Sequence, residues 1–228
     1  MDTTAKAASS SRRTLSELES RKILASYGIP LVPARSVASA TEAVRAAAEF
    51  GGPVVLKGVG ASLAHKTEAG VVKLDLRSAS EVEAAYAEIA RRAGERLEAV
   101  LVQPLVRSER EFVAGLTRDA QFGPCVMFGL GGIFTEVLKD VSFRVAPIEE
   151  RDALEMLSNI RAHRLLDAVR GKPAADRAAL AGILCALGRL GVERPDIAEV
   201  DINPILLDGA KPLAVDALVV LDEAGVGT

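Results

Sequence analysis

Short apolar runs alternate along the chain with longer segments in which apolar residues recur every three or four positions. The short runs are rich in valine, isoleucine and leucine and are bounded by glycine or proline, which is typical of β-strands. The longer segments have the period of amphipathic α-helices. The predicted strands are 53–59, 70–76, 99–106, 111–116, 125–130, 142–146, 197–207 and 213–221. The predicted helices are 16–27, 41–50, 81–97, 148–160 and 174–191.

Three of the predicted helices begin with the same polar pattern, a serine followed three residues later by a glutamate. These serines are Ser16, Ser39 and Ser78. In such a capping box the serine oxygen and the glutamate carboxylate accept hydrogen bonds from the first free backbone amides. Gly28 and Gly51 follow the first two helices, as expected for a helix C-terminus.

The order of the elements indicates an α/β protein with two lobes. The run 70–76 alternates apolar and polar residues only loosely, which favours a mixed or antiparallel sheet over a purely parallel one. We expect residues 14–100 to form a small lobe and residues 101–228 a larger one. Residues 1–13 are expected to form a polar tail, because they lack the apolar core of a secretory signal.

Composition excludes several classes of protein. With 228 residues, 49% of them hydrophobic, the chain can bury a substantial core. No apolar run reaches the roughly 18 residues of a membrane span. The net charge of −3, the absence of tryptophan and the 4% aromatic content argue against nucleic-acid binding. Cys125 and Cys185 lie in apolar runs without metal-ligand spacing, so we expect buried free thiols and a reducing cytoplasm.

Lys57 closes a predicted strand directly after three apolar residues, 54–56. Burying an ammonium group is costly unless an anion compensates the charge. A phosphate group is one such anion, and a strand would hold the lysine firmly against it. The competing interpretation is a lysine whose charged end reaches solvent from the strand terminus.

The loop 62–70 is the densest group of polar residues in the chain, and it contains His65 and Lys66. Its histidine, lysine, hydroxyls and glycine are typical of a loop that handles phosphate. A histidine can act as a nucleophile and carry a phosphoryl group between two sites. A solvated loop histidine without a role is the alternative. The other histidine, His163, is interpreted as a surface residue.

Closely spaced glycines, among them Gly131 and Gly132, follow the predicted strand 125–130. Glycine lets backbone amides approach phosphate oxygens. The spacing matches neither the dinucleotide fingerprint nor a Walker loop. A glycine turn without a ligand explains the pattern equally well.

Polar residues alternate with apolar ones near the end of the chain, so that Glu199, Asp201 and Asn203 share one face of a strand. Asp216 interrupts the next apolar strand, where a carboxylate is costly unless it binds a cation or a donor network. Two paired strands that present Asn203 beside Asp216 would supply oxygen ligands for Mg²⁺. A carboxylate satisfied by backbone amides or by an arginine such as Arg144 is the alternative.

These motifs resemble, in order, the ATP-grasp β subunit or domain of ADP-forming acyl-CoA (acetate–CoA) synthetases, and more distantly the β subunit of succinyl-CoA synthetase. The resemblance rests on stretches 54–76 (VVLKGVGASLAHKTEAGVVKLDL), 101–106 (LVQPLV), 110–147 (REFVAGLTRDAQFGPCVMFGLGGIFTEVLKDVSFRVAP), 199–207 (EVDINPILL) and 214–219 (AVDALV). It covers nearly everything from Leu15 to Leu221. It implies an ATP-grasp fold, with two lobes around a nucleotide cleft.

The resemblance also implies roles for individual residues. His65 would be a phosphohistidine that passes its phosphoryl group to ADP, with Lys66 and Arg144 neutralising the charge. Mg²⁺ would be bound by Asn203 and Asp216, with Asp201 nearby. The residues expected to contact ATP or ADP are Lys57 at the phosphates, Gln103, Pro104 and Leu105 beside adenine, Glu111 at the ribose, and Gly131 and Gly132. Pro104 departs from the family, where that position is commonly acidic or polar, and it has no amide to donate.

The expected function is the nucleotide half of an ADP-forming acyl-CoA ligase, acyl-CoA + ADP + phosphate ⇌ carboxylate + CoA + ATP. A CoA-binding α subunit is the expected partner, in an α2β2 assembly, because no stretch remains for a separate CoA-binding domain. Two alternatives stay open: an ATP-sensing ATP-grasp module without catalysis, and an ATP-grasp ligase that activates a carboxylate without a phosphohistidine.

Overall fold

A computed structural model describes residues 12–60, 63, 70–132 and 138–223. This part of the chain contains five α-helices and eleven β-strands. The helices are α1 (Glu17–Ser26), α2 (Ala40–Phe50), α3 (Ala79–Ala93), α4 (Glu150–Asn159) and α5 (Arg177–Glu193). The strands are β1 (Arg12–Thr14), β2 (Arg35–Val37), β3 (Val54–Val59), β4 (Val72–Leu76), β5 (Ala99–Pro104), β6 (Glu111–Asp119), β7 (Gly123–Leu130), β8 (Val141–Val145), β9 (Ile197–Asp208), β10 (Lys211–Ala214) and β11 (Ala217–Asp222).

The smaller of two sheets has four strands in the order β2-β5-β3-β4, and α2 and α3 cover one of its faces. Alternate residues of β3, such as Val54 and Leu56, belong to the core beneath these helices. Because side chains alternate along a strand, the intervening residues Val55 and Lys57 face the other way. Both of these are buried, so the second face of this sheet is covered as well.

The larger sheet has the order β1-β11-β9-β6-β7-β8, with β10 paired to β9. Helices α4 and α5 pack on one face, where Phe112 of β6 stacks on Phe128 of β7 with ring centroids 5.5 Å apart. The strand pairings within both sheets are antiparallel throughout the described residues. The prediction of an α/β protein with mixed or antiparallel sheets is therefore confirmed.

The predicted helix starts are present in the structure. The side chains of Ser16, Ser39 and Ser78 each accept a hydrogen bond from the amide of the glutamate three residues later. Helix α3 is shorter than the predicted 81–97 at its C-terminus, because Gly94 leaves the helical conformation with φ +56°. A 3₁₀ turn and β5 follow it.

The sheets divide the chain differently from the predicted lobes 14–100 and 101–228. Strand β1 pairs with β11, and Leu15 and Leu24 lie in the core of the large sheet. Helices α2 and α3 already cover the small sheet, so the apolar side of α1 packs on the large one. The small sheet also extends through β5 to Pro104, past the predicted boundary.

The predicted strand 213–221 is interrupted, and this break shapes the site described below. Strand β10 ends at Ala214 and β11 begins at Ala217, so Val215 and Asp216 lie between them. The amide of Val215 donates to the carbonyl of Pro204 at 3.0 Å. Its own carbonyl is turned away from that partner and accepts hydrogen bonds from the small sheet.

Arg110 is a buried cation that binds backbone carbonyls from three separate segments of the chain. It is 3% exposed and donates to four backbone carbonyls at 2.9–3.4 Å. The acceptors belong to Leu165, Asp167, Pro173 and Gly209. The guanidinium thereby holds the segment after α4 against the β9–β10 turn.

Within the described residues no helix is long and apolar enough to cross a membrane. Both cysteines are free and half-buried. Burial raises the pKa of the Cys185 thiol, which keeps the thiol protonated and unreactive.

Candidate functional site

The two sheets meet at Lys57. The buried second face of the small sheet carries Lys57 on β3 and Gln103 on β5, and these side chains are 4% and 1% exposed. Both donate to the carbonyl of Val215, Lys57 at 2.9 Å and Gln103 at 3.5 Å. The carbonyl of Val215, which lies in the break between β10 and β11, therefore connects the large sheet to the small sheet at this point.

The ammonium group of Lys57 also contacts two carboxylates. Its distance to Glu17 Oε1 is 3.3 Å and its distance to Asp216 Oδ2 is 3.5 Å. Three oxygen atoms thus surround the three N–H donors of a buried lysine, which compensates the cost of its burial. The lysine does not reach solvent from the strand terminus, and that competing interpretation is wrong.

Asp216 lies opposite the end of the polar face of β9. Ala217 pairs with Ile202, and Val215 binds Pro204, so Asp216 falls opposite Asn203. Val200 and Ile202 point into the core beneath α4 and α5. Glu199, Asp201 and Asn203 therefore point away from those helices, on the predicted common face.

The electrostatics of this face is strongly negative. Burial, together with the neighbouring carboxylates of Glu199 and Asp216, raises the pKa of Asp201 to about 6. A carboxylate with a raised pKa beside two others is the arrangement that a bound cation would relieve.

Among the described residues no three His, Cys, Asp or Glu side chains form a ready-made metal cluster. Mg²⁺ does not need one, because it commonly binds through one or two carboxylates together with waters and substrate phosphates. Asp216 and the exposed amide of Asn203 fit such a partial site chemically. Asp201 lies close enough to Asp216 for the charge of Asp216 to raise the pKa of Asp201.

Gln103 and Pro104 are the last two residues of β5 in the small sheet, and Leu105 follows them directly. Pro104 pairs with Val54, and the amide of Leu105 donates to the carbonyl of Pro53 at 2.8 Å. Gln103 Oε1 is buried and accepts no hydrogen bond in the structure as described. Such an oxygen is costly unless a donor from a ligand or water reaches it.

Glu111 lies beside the two predicted glycines at the start of β6. The amide of Gly131 donates to the carbonyl of Glu111 at 2.8 Å. A Cβ atom at Gly132 would lie 3.1 Å from the Glu111 carboxylate. These three residues line a cavity of about 570 Å³ together with Glu109, Leu130, Leu138, Ala162 and Leu165. The structure therefore brings Glu111 and the glycines together.

Arg144 lies elsewhere on the large sheet. It pairs in register with Val126, whose side chain belongs to the core beneath α5. Its guanidinium is 3.7 Å from Glu155 on α4. Arg144 therefore faces the helices, whereas Asp201 and Asn203 face away from them.

His65 and Lys66 lie outside the described residues. The other histidine, His163, is half-buried rather than on the open surface, and its Nδ1 is 3.1 Å from the carbonyl of Ile160.

Two charged residues of the site escaped the sequence analysis. Glu17 is the first residue of α1, and Arg21 lies one turn later, 3.8 Å from the Glu17 carboxylate. Burial lowers the pKa of Arg21, and the charges of Glu17 and Asp216 oppose that effect. A glutamate at a helix start has an ordinary capping explanation, so nothing local in the sequence distinguished Glu17 from Glu19.

Two antiparallel sheets thus meet at a buried lysine from one sheet and carboxylates that pack on the other. A family model of the ATP-grasp domain matches residues 6–221. The chain therefore belongs to the ATP-grasp family.

Three relatives refine this assignment. The β subunit of acetate–CoA ligase [ADP-forming] I from Pyrococcus furiosus is 42% identical, over 97% of this chain and 100% of that subunit. The β subunit of succinate–CoA ligase [ADP-forming] from Herpetosiphon aurantiacus is 28% identical, over 93% of this chain and 57% of that subunit.

The third relative is the dinucleotide forming acetyl-coenzyme A synthetase 1 from Ca. Korarchaeum cryptofilum. Its complex with coenzyme A, Ca-AMPCP and HgCl+ has a TM-score of 0.86 and 43% identity, covering 92% of this chain and 93% of that chain. A selenomethionine form with coenzyme A and Mg-AMPPCP, whose phosphohistidine segment points towards the nucleotide binding site, gives a TM-score of 0.80 at the same identity and coverage. The predicted resemblance, the ATP-grasp fold and the class of ADP-forming acyl-CoA ligase subunits are confirmed.

Proposed function

We propose that the chain binds ATP or ADP between its two sheets and performs the nucleotide half of acyl-CoA + ADP + phosphate ⇌ carboxylate + CoA + ATP. The observation that carries the proposal is the buried Lys57, which lies between Val215 and Asp216 of the large sheet. Its charge is positioned where a phosphate group could replace Asp216 as its anionic partner. Gln103, Pro104, Leu105, Glu111, Gly131 and Gly132 would contact the remainder of the nucleotide.

Mg²⁺ would be held by Asn203 and Asp216, with Asp201 beside them. When bound, it would supply positive charge that offsets the phosphates and the three carboxylates of this face. Lys57 would hold a phosphate oxygen of the nucleotide, and the closed lobes would exclude water from the transferring group.

We further propose that His65 carries the phosphoryl group. In the direction of ATP synthesis, the N–P bond of phosphorylated His65 breaks while a bond forms between phosphorus and a terminal oxygen of ADP. The nitrogen keeps the electron pair of the broken bond, and neutral imidazole remains. Support comes from the archaeal relative, whose phosphohistidine segment points towards its nucleotide binding site. Lys66 would neutralise the added charge, and Arg144 is a second candidate for this role at a different place on the large sheet.

The proposed partner is a CoA-binding α subunit, in an α2β2 assembly. The Pyrococcus relative is itself a β subunit, which supports a partner of a different kind. Light scattering on the two chains produced together should give the mass of two copies of each. A β chain that elutes alone from such a preparation would contradict the proposal.

Nucleotide binding can be tested with the purified chain by titration calorimetry with ATP, with and without Mg²⁺. The charge-neutral variant Asp216→Asn should weaken Mg-ATP binding by about tenfold or more, equivalent to ~1.4 kcal/mol. Asp208→Asn is the matched control, because this aspartate is exposed at the end of the same strand β9. The absence of binding by the unmodified chain in both conditions would refute the proposed nucleotide site.

The role of His65 can be tested with γ-labelled ATP and Mg²⁺. An acid-labile, base-stable label should appear at residue 65 and disappear in His65→Asn, together with overall activity in the presence of the partner. ATP affinity should change little in this variant. His163→Asn is the control and should keep both label and activity. Full turnover by His65→Asn would instead favour a ligase that forms an acyl phosphate directly.

A further inference from the structure

Glu17 is a fully buried carboxylate at the meeting point of the two lobes. It belongs to the first turn of α1, which packs on the large sheet, yet its Oε1 lies 3.3 Å from Lys57 on the small sheet. It also lies 3.8 Å from Arg21 on its own helix. Two cations therefore surround this carboxylate, which offsets the cost of removing it from water.

Regular secondary structure holds both partners of the contact between Glu17 and Lys57. Lys57 lies in the middle of β3, where both neighbours are paired with β5. Glu17 follows the capping residue Ser16, whose side chain and backbone are both tied to Glu19. A fixed strand and a fixed helix start thus hold the two charges in register.

In the proposed function, the other carboxylate beside Lys57 also has to bind the metal ion. Asp216 is the expected metal ligand, so a bound metal and a bound phosphate would both weaken its contact with Lys57. Glu17 lies on the α1 side and is not among the expected metal ligands. It can keep its contact with the ammonium group while Asp216 turns to the cation.

We propose that Glu17 is a positioning residue that holds the Lys57 ammonium group in place for a nucleotide phosphate when Asp216 is engaged by the metal. This inference rests on the proposed function. Without Glu17, the ammonium would be shared between Asp216 and the carbonyl of Val215. Lys57 and Mg²⁺ would then compete more strongly for Asp216.

The test is a double-mutant cycle on ADP binding by the full chain at saturating Mg²⁺, measured by calorimetry. Glu17→Gln should weaken ADP binding about tenfold in the unmodified chain, as expected for loss of one charged hydrogen bond. In the Lys57→Met background the same change should alter ADP affinity by less than about twofold. Glu17→Gln should also raise the Mg²⁺ concentration needed for half-maximal ADP binding.

The matched control is Glu19→Gln, two residues away on the same helix and half-exposed. It removes part of the helix cap but should leave ADP affinity and the Mg²⁺ requirement unchanged. Circular dichroism would establish that each variant is folded. If Glu17→Gln is not folded, Glu17→Asp enters the same cycle, because it keeps the charge but withdraws it from Lys57 by one methylene.

The inference is supported if Glu17→Gln weakens ADP binding by a factor that is at least about three times larger in the unmodified chain than in the Lys57→Met background. Equal losses from the Glu17 change in both backgrounds would show a structural role alone and overturn it. The proposed function fails by a different result, namely the absence of nucleotide binding by the unmodified chain or unchanged affinity in Lys57→Met.

Discussion

Asp201 should make the fold less stable at neutral pH, and the effect can be measured through the variant Asp201→Asn. The carboxyl group lies on the polar face of β9, opposite the core that contains Val200 and Ile202. Burial raises its pKa from an ordinary value of 3.8 to about 6, with Glu199 and Asp216 acting in the same direction. The folded state therefore prefers the protonated form more than the unfolded chain does.

The pKa values define the size and the pH window of the effect. Each pKa unit is equivalent to about 1.4 kcal/mol, so the shift costs about 3 kcal/mol once the group is ionised in both states. A raised carboxyl pKa contributes stability that is fully present below pH 3.8 and is lost as the pH rises through about 6. Above that pH the ionised group opposes folding.

Urea denaturation in the presence of a chelator is the appropriate assay. The free energy of unfolding of Asp201→Asn relative to the unmodified chain should increase by about 2–3 kcal/mol between pH 4 and pH 8. Any constant offset from the new amide is removed by taking this difference between pH values. Asp208→Asn, exposed on the same strand, should show a change below about 0.5 kcal/mol. A variant whose advantage is the same at pH 4 and pH 8 would refute the reasoning.

The remaining predictions concern stability and site geometry. Arg110→Met should lower the free energy of unfolding by about 3 kcal/mol in urea titrations, because the buried side chain no longer donates to four backbone carbonyls. Gly191→Ala in α5 should cost about 1–3 kcal/mol, since the added Cβ would lie 2.8 Å from side chains of β6 and β7. Gly182→Ala in the same helix has open space and should instead raise the melting temperature, with a gain of about 0.5–1 kcal/mol. Gly131→Ala would place a Cβ 2.8 Å from the backbone of Glu111, so calorimetry should show weaker ATP binding.

Features set by neighbouring residues could be predicted from the sequence. The capping serines act on amides three residues away, so Ser16, Ser39 and Ser78 are recognisable without any tertiary contact. The shared face of Asp201 and Asn203 follows from strand alternation alone. The short strands β1 and β2 were missed, because three residues carry too little periodicity to be recognised.

The family and the ligase class were inferred from resemblance to known proteins, because hydrophobic periodicity predicts secondary structure and not function. The family match and the relatives confirmed both. The roles of individual residues, His65 above all, stay predictions that the experiments above would decide.

Contacts between distant segments were decided by the tertiary structure. Lys57 meets Glu17 across 40 residues and Val215 across 158. No local pattern predicted that α1 would pack on the large sheet, because its apolar face does not specify which sheet covers it. The side of the sheet occupied by Arg144 depends on the register of β7 and β8. A shift of one residue would have turned the guanidinium towards the opposite face, and register is fixed by packing rather than by local sequence.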